Sequence, residues 1–346
     1  MKGYYLYGMR LVKLLSLLLL SVIWLGAYAQ SSPDIRIAFG SCNRSDKTQS
    51  YWTQIEKQHP HLWIWTGDII YGDSPDSTVL ASKYNIQKLA PEYKAFRQST
   101  AVTGTWDDHD YGINDGGKEW HAKVMAKRQF INFIGFSDNH PIHQHKGIYN
   151  SYMISHVEGD VKVINLDTRS FRDTLTPSTI ANRRYDINKT GDVLGEAQWE
   201  WLASELNDPE IDLFVISSSI QVIAEDHGWE KWANLPEARK RLFKLLEKAH
   251  PKAVVIISGD RHIAEYSVLS LAGLPYPLFD ITSSGLTHTW SSSREEYNAH
   301  RKGELIVARN FGLLDVNFTE NGVEVHSTIN SAEDGSILAE ETILFN

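Results

Sequence analysis

Four short stretches carry the residues whose types and spacing could do chemistry: FGSCN at 39–43, WTGDIIYGD at 65–73, TWDDHDYGIND at 105–115 and SGDRH at 258–262. They offer a thiol (Cys42), a carboxylate and a phenol three residues apart (Asp68, Tyr71), and a D-x-H pair (Asp260, His262). Between these lie three carboxylates around one imidazole (Asp107, Asp108, His109, Asp110), with Asn114 and Asp115 just beyond. Thiolate and phenolate together favour a strongly Lewis-acidic ion, with Fe(III) the leading candidate. Crowded carboxylates repel unless cations or water offset them, and Asn114 and Asp115 add neutral and charged oxygens suited to Ca or Mg. Asp167 and Arg169 follow another apolar run; Asp167 could hold a hard cation and Arg169 could fork onto a phosphate oxygen. His109 is preferred as the acid beside a leaving oxygen rather than as a ligand. The combined set fits metal-assisted hydrolysis, in which cations activate water and neutralise a phosphoryl group. Acyl transfer fits less well, because Ser41 sits in G-S-C and lacks a G-x-S-x-G elbow.

Each residue also has a plainer reading. A lone Cys is commonly a buried apolar residue, an Asp after Gly a turn residue, and Asp167 with Arg169 an ordinary surface ion pair. The three histidines at 140, 143 and 145 read as a surface loop before they read as a metal site. The convergence of all four stretches is what favours a metal centre.

Something must deliver them to one place. Three of the four follow buried β-like runs: 35–39, 62–65 and 253–257. Ala101 to Trp106 makes a further strand leading into the acidic stretch. Strand, helix (48–58, with Trp52 and Ile55 inward) and strand within about 30 residues form a βαβ unit and predict a parallel sheet. Ligands bind at strand ends on one edge of such sheets. Residues 74–98 read as helical with an interruption at Pro91, and 118–136 as a long helix with Val124, Phe130, Phe133 and Ile134 inward. Strands are expected at 149–156, 161–166, 213–216, 279–282, 312–318, 323–329 and 342–345, and helices at 195–206 and 240–248.

The N-terminus has Lys2, Arg10 and Lys13, an apolar run from Leu14 to Gly26, then Ala27-Tyr28-Ala29. That pattern predicts a secretory signal at 1–29, cleaved before Gln30. The run is shorter than the roughly 20 residues of a membrane span. It lacks a twin-arginine pair and a lipidation Cys, so the general secretory route and a periplasmic or extracellular address are expected, with no transmembrane anchor after cleavage. Cleavage removes three basic residues and no acidic one, moving the net charge from −9 to −12. Such a chain is a poor nucleic-acid partner and suits a protein that holds cations. With one Cys no internal disulfide can form. No repeat or low-complexity linker appears, so 30–346 is expected to be one domain.

The strings FGSCN, TGDIIYGD, TWDDHDYGIND, GIYNSY, NLDTRSFRD, LGEAQWEWL, QVIAEDHGWEKWANLP, SGDRHIAE and SSGLTHTW, in order from 39 to 290, make the sequence resemble the PhoD-like alkaline phosphatases of the metallophosphoesterase superfamily. The resemblance implies an α/β fold: a β-sandwich of two mixed sheets flanked by helices, with metals at the strand ends. It implies Fe(III) and Ca(II), other divalent ions being possible, and hydrolysis of phosphate mono- or diesters at alkaline pH by a metal-activated hydroxide. Carried across, Cys42, Asp68, Tyr71 and His262 would hold iron, with Asp68 bridging. Asp108, Asn114, Asp167 and Asp260 would be calcium candidates. In the mechanism read from the residues themselves, Arg169 would assist and His109 or water would protonate the departing alkoxide. FGSCN arrives about ten residues after the cleavage point, without the N-terminal β domain of longer members, which would open the site to larger substrates. The alternatives are a phosphodiesterase or phospholipase acting on lipid or polymer head groups, with Trp229, Trp232 and Trp290 packing a larger substrate, and an inactive metal-binding surface protein.

Overall fold

Strands β1 (Ile35–Gly40), β2 (Leu62–Thr66) and β3 (Ala101–Thr105) lie parallel and side by side, as the βαβ spacing requires. Alternation along them sorts side chains between two faces. Ile35, Ile37, Phe39, Leu62 and Ile64 enter the larger core, while Ala38, Trp63 and Trp65 enter a second, aromatic core. Helices α1 (Tyr51–Glu56), α2 (Ser77–Leu89) and α3 (Pro91–Ser99) supply the partners of that second core. Trp52 meets Trp63 at 4.9 Å and Phe96 at 5.0 Å between ring centroids. Pro91 starts α3, where its missing N–H costs nothing. The short α4 (Asp108–Tyr111) follows β3, and α5 (Lys123–Ile134) is shorter than expected. Its Val124 is 61% exposed, contrary to the inward placement, whereas Phe130, Phe133 and Ile134 are buried.

The chain then builds a second sheet. It uses β4 (Asn150–His156) and β5 (Gly159–Asn165), a two-residue ribbon β6 (Thr176–Pro177) and β7 (Tyr185–Asp186), helix α6 (Gly195–Leu206), β8 (Leu213–Ser217), helix α7 (Pro236–Ala249), β9 (Val254–Ser258), β10 (Ala264–Leu269), β11 (Leu278–Ser283) and β12 (Arg301–Ile306). The hairpin strands β13 (Asn310–Thr319), β14 (Gly322–Ser331) and β15 (Ile337–Phe345) return to the first sheet. The orders are β15-β14-β13-β1-β2-β3 and β12-β10-β11-β9-β8-β5-β4. Both sheets are mixed: β5, β8, β9 and β11 are parallel, while β4, β10 and β12 pair antiparallel at the sides. The larger core joins residues of both sheets with Trp199, Leu202, Leu206, Leu242 and Leu246 of α6 and α7.

This computed structural model describes residues 32–292 and 296–346; the expected leader at 1–29 lies outside them. Residues Asp34–Asn346 form one compact unit. No helix among the described residues is long and apolar enough to cross a membrane.

Candidate metal centre and active site

The first residues after β1, β2, β3 and β9 are Ser41-Cys42, Gly67-Asp68, Trp106-Asp107-Asp108 and Gly259-Asp260. Close backbone approach at this end demands glycine: a Cβ on Gly67 would sit 2.5 Å from the Asp107 Cβ, and one on Gly259 would sit 2.4 Å from the Thr66 carbonyl oxygen. Cys42, Asp68, Asp260 and His262 themselves adopt left-handed backbone, at φ 59°, 46°, 68° and 56°. Non-glycine residues rarely do so, and such strain gathers at functional sites.

Three groups of potential ligands overlap there: Cys42, Asp68 and His262; Asp68, Asp108 and His109; and Asp107, Asp108 and Asp260. Within each group the ligand atoms lie within 4.8 Å of one another, and Asp68 and Asp108 each belong to two. The Tyr71 hydroxyl lies 3.0 Å from His262 Nε2, which brings the phenol to the sulfur-containing group. Cys42 Sγ is 3.5 Å from Asp68 Oδ2. Asn114 is exposed and lines the cleft over Asp108, His109, Asp260 and His262, with its amide turned to Asp115 at 2.7 Å.

The electrostatics are those of anions without enough cations. Burial, then Asp108 and Asp107, push the Asp68 carboxyl well above its ordinary range; burial and the same two neighbours do so for Asp260. Burial, then Asp68, raises the Cys42 thiol, and burial, then Cys42, raises the Tyr71 phenol. Asp68 Oδ1, Asp107 Oδ2 and His262 Nδ1 are buried without a hydrogen-bond partner among the described residues. Buried polar atoms are rarely left so. Orphaned oxygens, a thiol, a phenol and an imidazole beside an all-carboxylate group fit two kinds of cation, one Lewis-acidic and one hard.

His109 stands at the edge. Its Nδ1 is 2.7 Å from Asp73 Oδ1, and its ring lies 4.1 Å from that of Tyr71. Burial opposes its protonation, but Asp108 and Asp73 outweigh that and hold its pKa up at about 9.

Two expected residues do other work. Asp167 was expected as a calcium ligand, but its oxygens are taken: Oδ1 accepts from Trp106 Nε1 and the Arg169 and Ser170 amides, and Oδ2 accepts from the Ile148 amide. It organises a loop beside the centre. Arg169 was expected to grip a phosphate, but it is fully buried, with Nε 2.6 Å from Asp107 Oδ1 and Nη1 2.7 Å from Glu230 Oε2. Glu230 also pairs with Arg172 at 2.8 Å. This alternating chain of charges, with Ser219 donating to Asp107 at 2.6 Å, fixes Asp107 from behind. Asp110 likewise accepts from the amides of Ile69, Ile70 and Asp107 and from the Tyr84 hydroxyl. Asp107 and Asp108 are the acids of that stretch whose oxygens lie beside potential ligand atoms of other stretches, and Asp108 also accepts from the His109 and Asp115 amides.

Sequence reasoning did not single out Glu230, Ser219, Arg184 or His288. His288 Nε2 is 3.2 Å from the Tyr71 hydroxyl, and Arg184 pairs with Asp115 at the cleft lip. Glu230 and His288 lie inside the strings EDHGWEKW and SSGLTHTW that carried the resemblance, which was the available signal. The histidines at 140, 143 and 145 bond separately to the Ile142 amide and the Ser137 and Tyr149 carbonyls.

No curated protein matches the sequence. Among solved structures, one described as the structure of PhoD superposes with a TM-score of 0.62 at 16% identity, covering 89% of this chain and 72% of its own. GAP50, described as the anchor in the inner membrane complex of Plasmodium, superposes with a TM-score of 0.58 at 13% identity, covering 90% of this chain and 89% of its own. Both likenesses speak to the fold. The family profile of PhoD-like phosphatase matches residues 37–326, and the chain therefore belongs to that family of phosphoric ester hydrolases.

Proposed function

We propose that this phosphatase is an exported, metal-dependent enzyme hydrolysing phosphate mono- or diesters. The observation that carries the reading is the overlap of three ligand groups through Asp68 and Asp108. Cys42, Asp68, Tyr71 and His262 would hold Fe(III), and Asp108, Asp260 and Asn114, with Asp107 in support, would hold Ca(II). When bound, the ions would supply an activated water and offset the charge of the phosphoryl oxygens.

The chain's own residues contribute the rest. Asp73 engages His109 through Nδ1, leaving Nε2 as the nitrogen available to a departing oxygen. As the ester P–O bond breaks, the water oxygen remains on phosphorus and the leaving oxygen takes the His109 proton. Arg184 stands at the cleft lip, paired with Asp115. Arg169 acts through Asp107, as a positioning residue.

Metal analysis with a visible absorption spectrum tests this reading. Iron and calcium with a phenolate–Fe(III) charge-transfer band are expected. A colourless protein active with added divalent ions would replace iron; a colourless protein inactive with every metal tried would overturn the metal-dependent reading. Export is checked separately, by N-terminal sequencing of secreted protein expected to begin at Gln30.

A further inference from the structure

Beside the small cleft over the carboxylates opens a larger one, of about 930 Å3, lined by Arg183, Arg184, His227, Trp229, Trp290 and Tyr297. The two share Arg184, Trp229 and Trp290, so whatever is held over Asp108 and His262 can extend into it. The wall is aromatic: the Trp229 and Trp290 rings lie 5.1 Å apart at 59°, and Trp290 lies 4.7 Å from the His262 ring. Trp290 is 36% exposed and Tyr297 69%. Trp290 and Tyr297 are therefore not core residues that happen to sit near the site; Trp232, expected with Trp229 and Trp290 to pack a larger substrate, is fully buried in the larger core instead.

A second observation comes from His227, which is 5% exposed. Its Nδ1 accepts from the Trp229 amide at 3.2 Å, so the proton of the neutral ring is on Nε2. Burial, then Arg261 and Lys231, disfavour a second proton. Nε2 nevertheless has no partner among the described residues, although His227 lines the cleft. A buried N–H without an acceptor is an uncommon feature that a ligand oxygen would satisfy. The exposed Arg183 and Arg184 side chains are paired with Asp186 and Asp115, and Asp226 and Glu296 line the same cleft, so charge there is mixed and the aromatic faces and His227 carry the recognition.

A phosphate monoester of a small alcohol would leave this wall unused. We infer that the cleft is a subsite for the organic arm of a phosphodiester, and that the arm it takes is a planar aromatic ring bearing an acceptor atom. Stacking against tryptophan faces accepts such rings without strict sequence or shape readout. The inference rests on the phosphoesterase reading of the adjoining centre.

Two diesters that expel the same leaving group test it: bis(4-nitrophenyl) phosphate, with an aryl second arm, and methyl 4-nitrophenyl phosphate. The readout is the ratio of kcat/KM for aryl over methyl in the metal-loaded enzyme. Trp229→Ala and Trp290→Ala are each expected to lower that ratio about tenfold, and Trp229→Phe to restore most of it. A variant that merely loosens the metal centre slows both substrates and leaves the ratio where it was. A ratio within twofold of the wild type in both alanine variants overturns the subsite. Absence of turnover of both diesters and of 4-nitrophenyl phosphate by the metal-loaded wild type overturns the phosphoesterase reading, and the subsite with it.

Discussion

Asp68 and Asp167 are equally buried, at 1% and 0% exposure, and each follows a parallel strand closely, yet their oxygens meet opposite surroundings. Asp167 accepts from three backbone amides and the Trp106 indole. Asp68 has one oxygen without a partner among the described residues and the other beside the Cys42 sulfur, with Asp107, Asp108 and Asp260 crowding it. Amides provide Asp167 with the positive ends of dipoles that a buried carboxylate needs. Asp68 has none among the described residues, which is the observation behind the cation proposed for it. Burial and residue type are the same for both; what separates them is that Asp68 keeps an oxygen without a donor among the described residues, whereas both Asp167 oxygens are engaged.

The sharpest way to break that comparison is Asp68→Asn. Removing the charge removes a bridge between two ligand groups, and turnover is expected to fall by on the order of a thousandfold, as when a preorganised electrostatic contact is lost. In chelator-treated protein the same change relieves repulsion, so the urea midpoint should hold or rise. Activity within tenfold of wild type together with a lower metal-free midpoint would place Asp68 with the structural acids.

Asp167→Ala should do the reverse. It strands the Trp106 N–H and the amides of Ile148, Arg169 and Ser170. At about 1–3 kcal/mol for each buried group left without an acceptor, partly relieved by water, a loss of roughly 3–5 kcal/mol is expected in urea unfolding. Metal content of the folded protein should stay close to wild type. Loss of calcium at unchanged stability would return Asp167 to the ligand set.

The same distinction explains what was legible in the sequence. The ends of β1, β2 and β9 were readable because buried parallel strands are continuous apolar runs followed by an abrupt polar turn. Helix α6 coincides with its expected span because its amphipathic pattern has no competing signal. Strand β12, RKGELI, was missed: it lies at an edge of its sheet, where exposed charges guard against further pairing and erase the alternation. Strand β10 was missed because the buried Glu265 in it is neutralised by Arg301, a partner 36 residues away. At the site the ligand types were legible, while the reversal of Arg169 and Asp167 was not. Whether a carboxylate or guanidinium is already satisfied depends on Glu230, Ser219 and Ile148, which only folding brings alongside.

Histidines give the smallest and most specific test of the comparison. His109 is held between Asp73 and Asp108, and its pKa of about 9 lies above the 6.5 of an unfolded chain. The folded state therefore binds this proton more tightly than the unfolded state does. Its stabilisation is complete below pH 6.5 and is lost as pH rises through 9. In metal-free protein the urea stability should fall across that window, by at most about 3 kcal/mol, and His109→Asn should flatten the fall. His143, by contrast, is exposed, and its ring bonds to the Ser137 carbonyl. His143→Ala should leave turnover within twofold and stability within about 0.5 kcal/mol. If His143→Ala cost as much turnover as His109→Asn, the imidazole in the acidic stretch would have no special place, and the proton on the leaving oxygen would have to come from solvent.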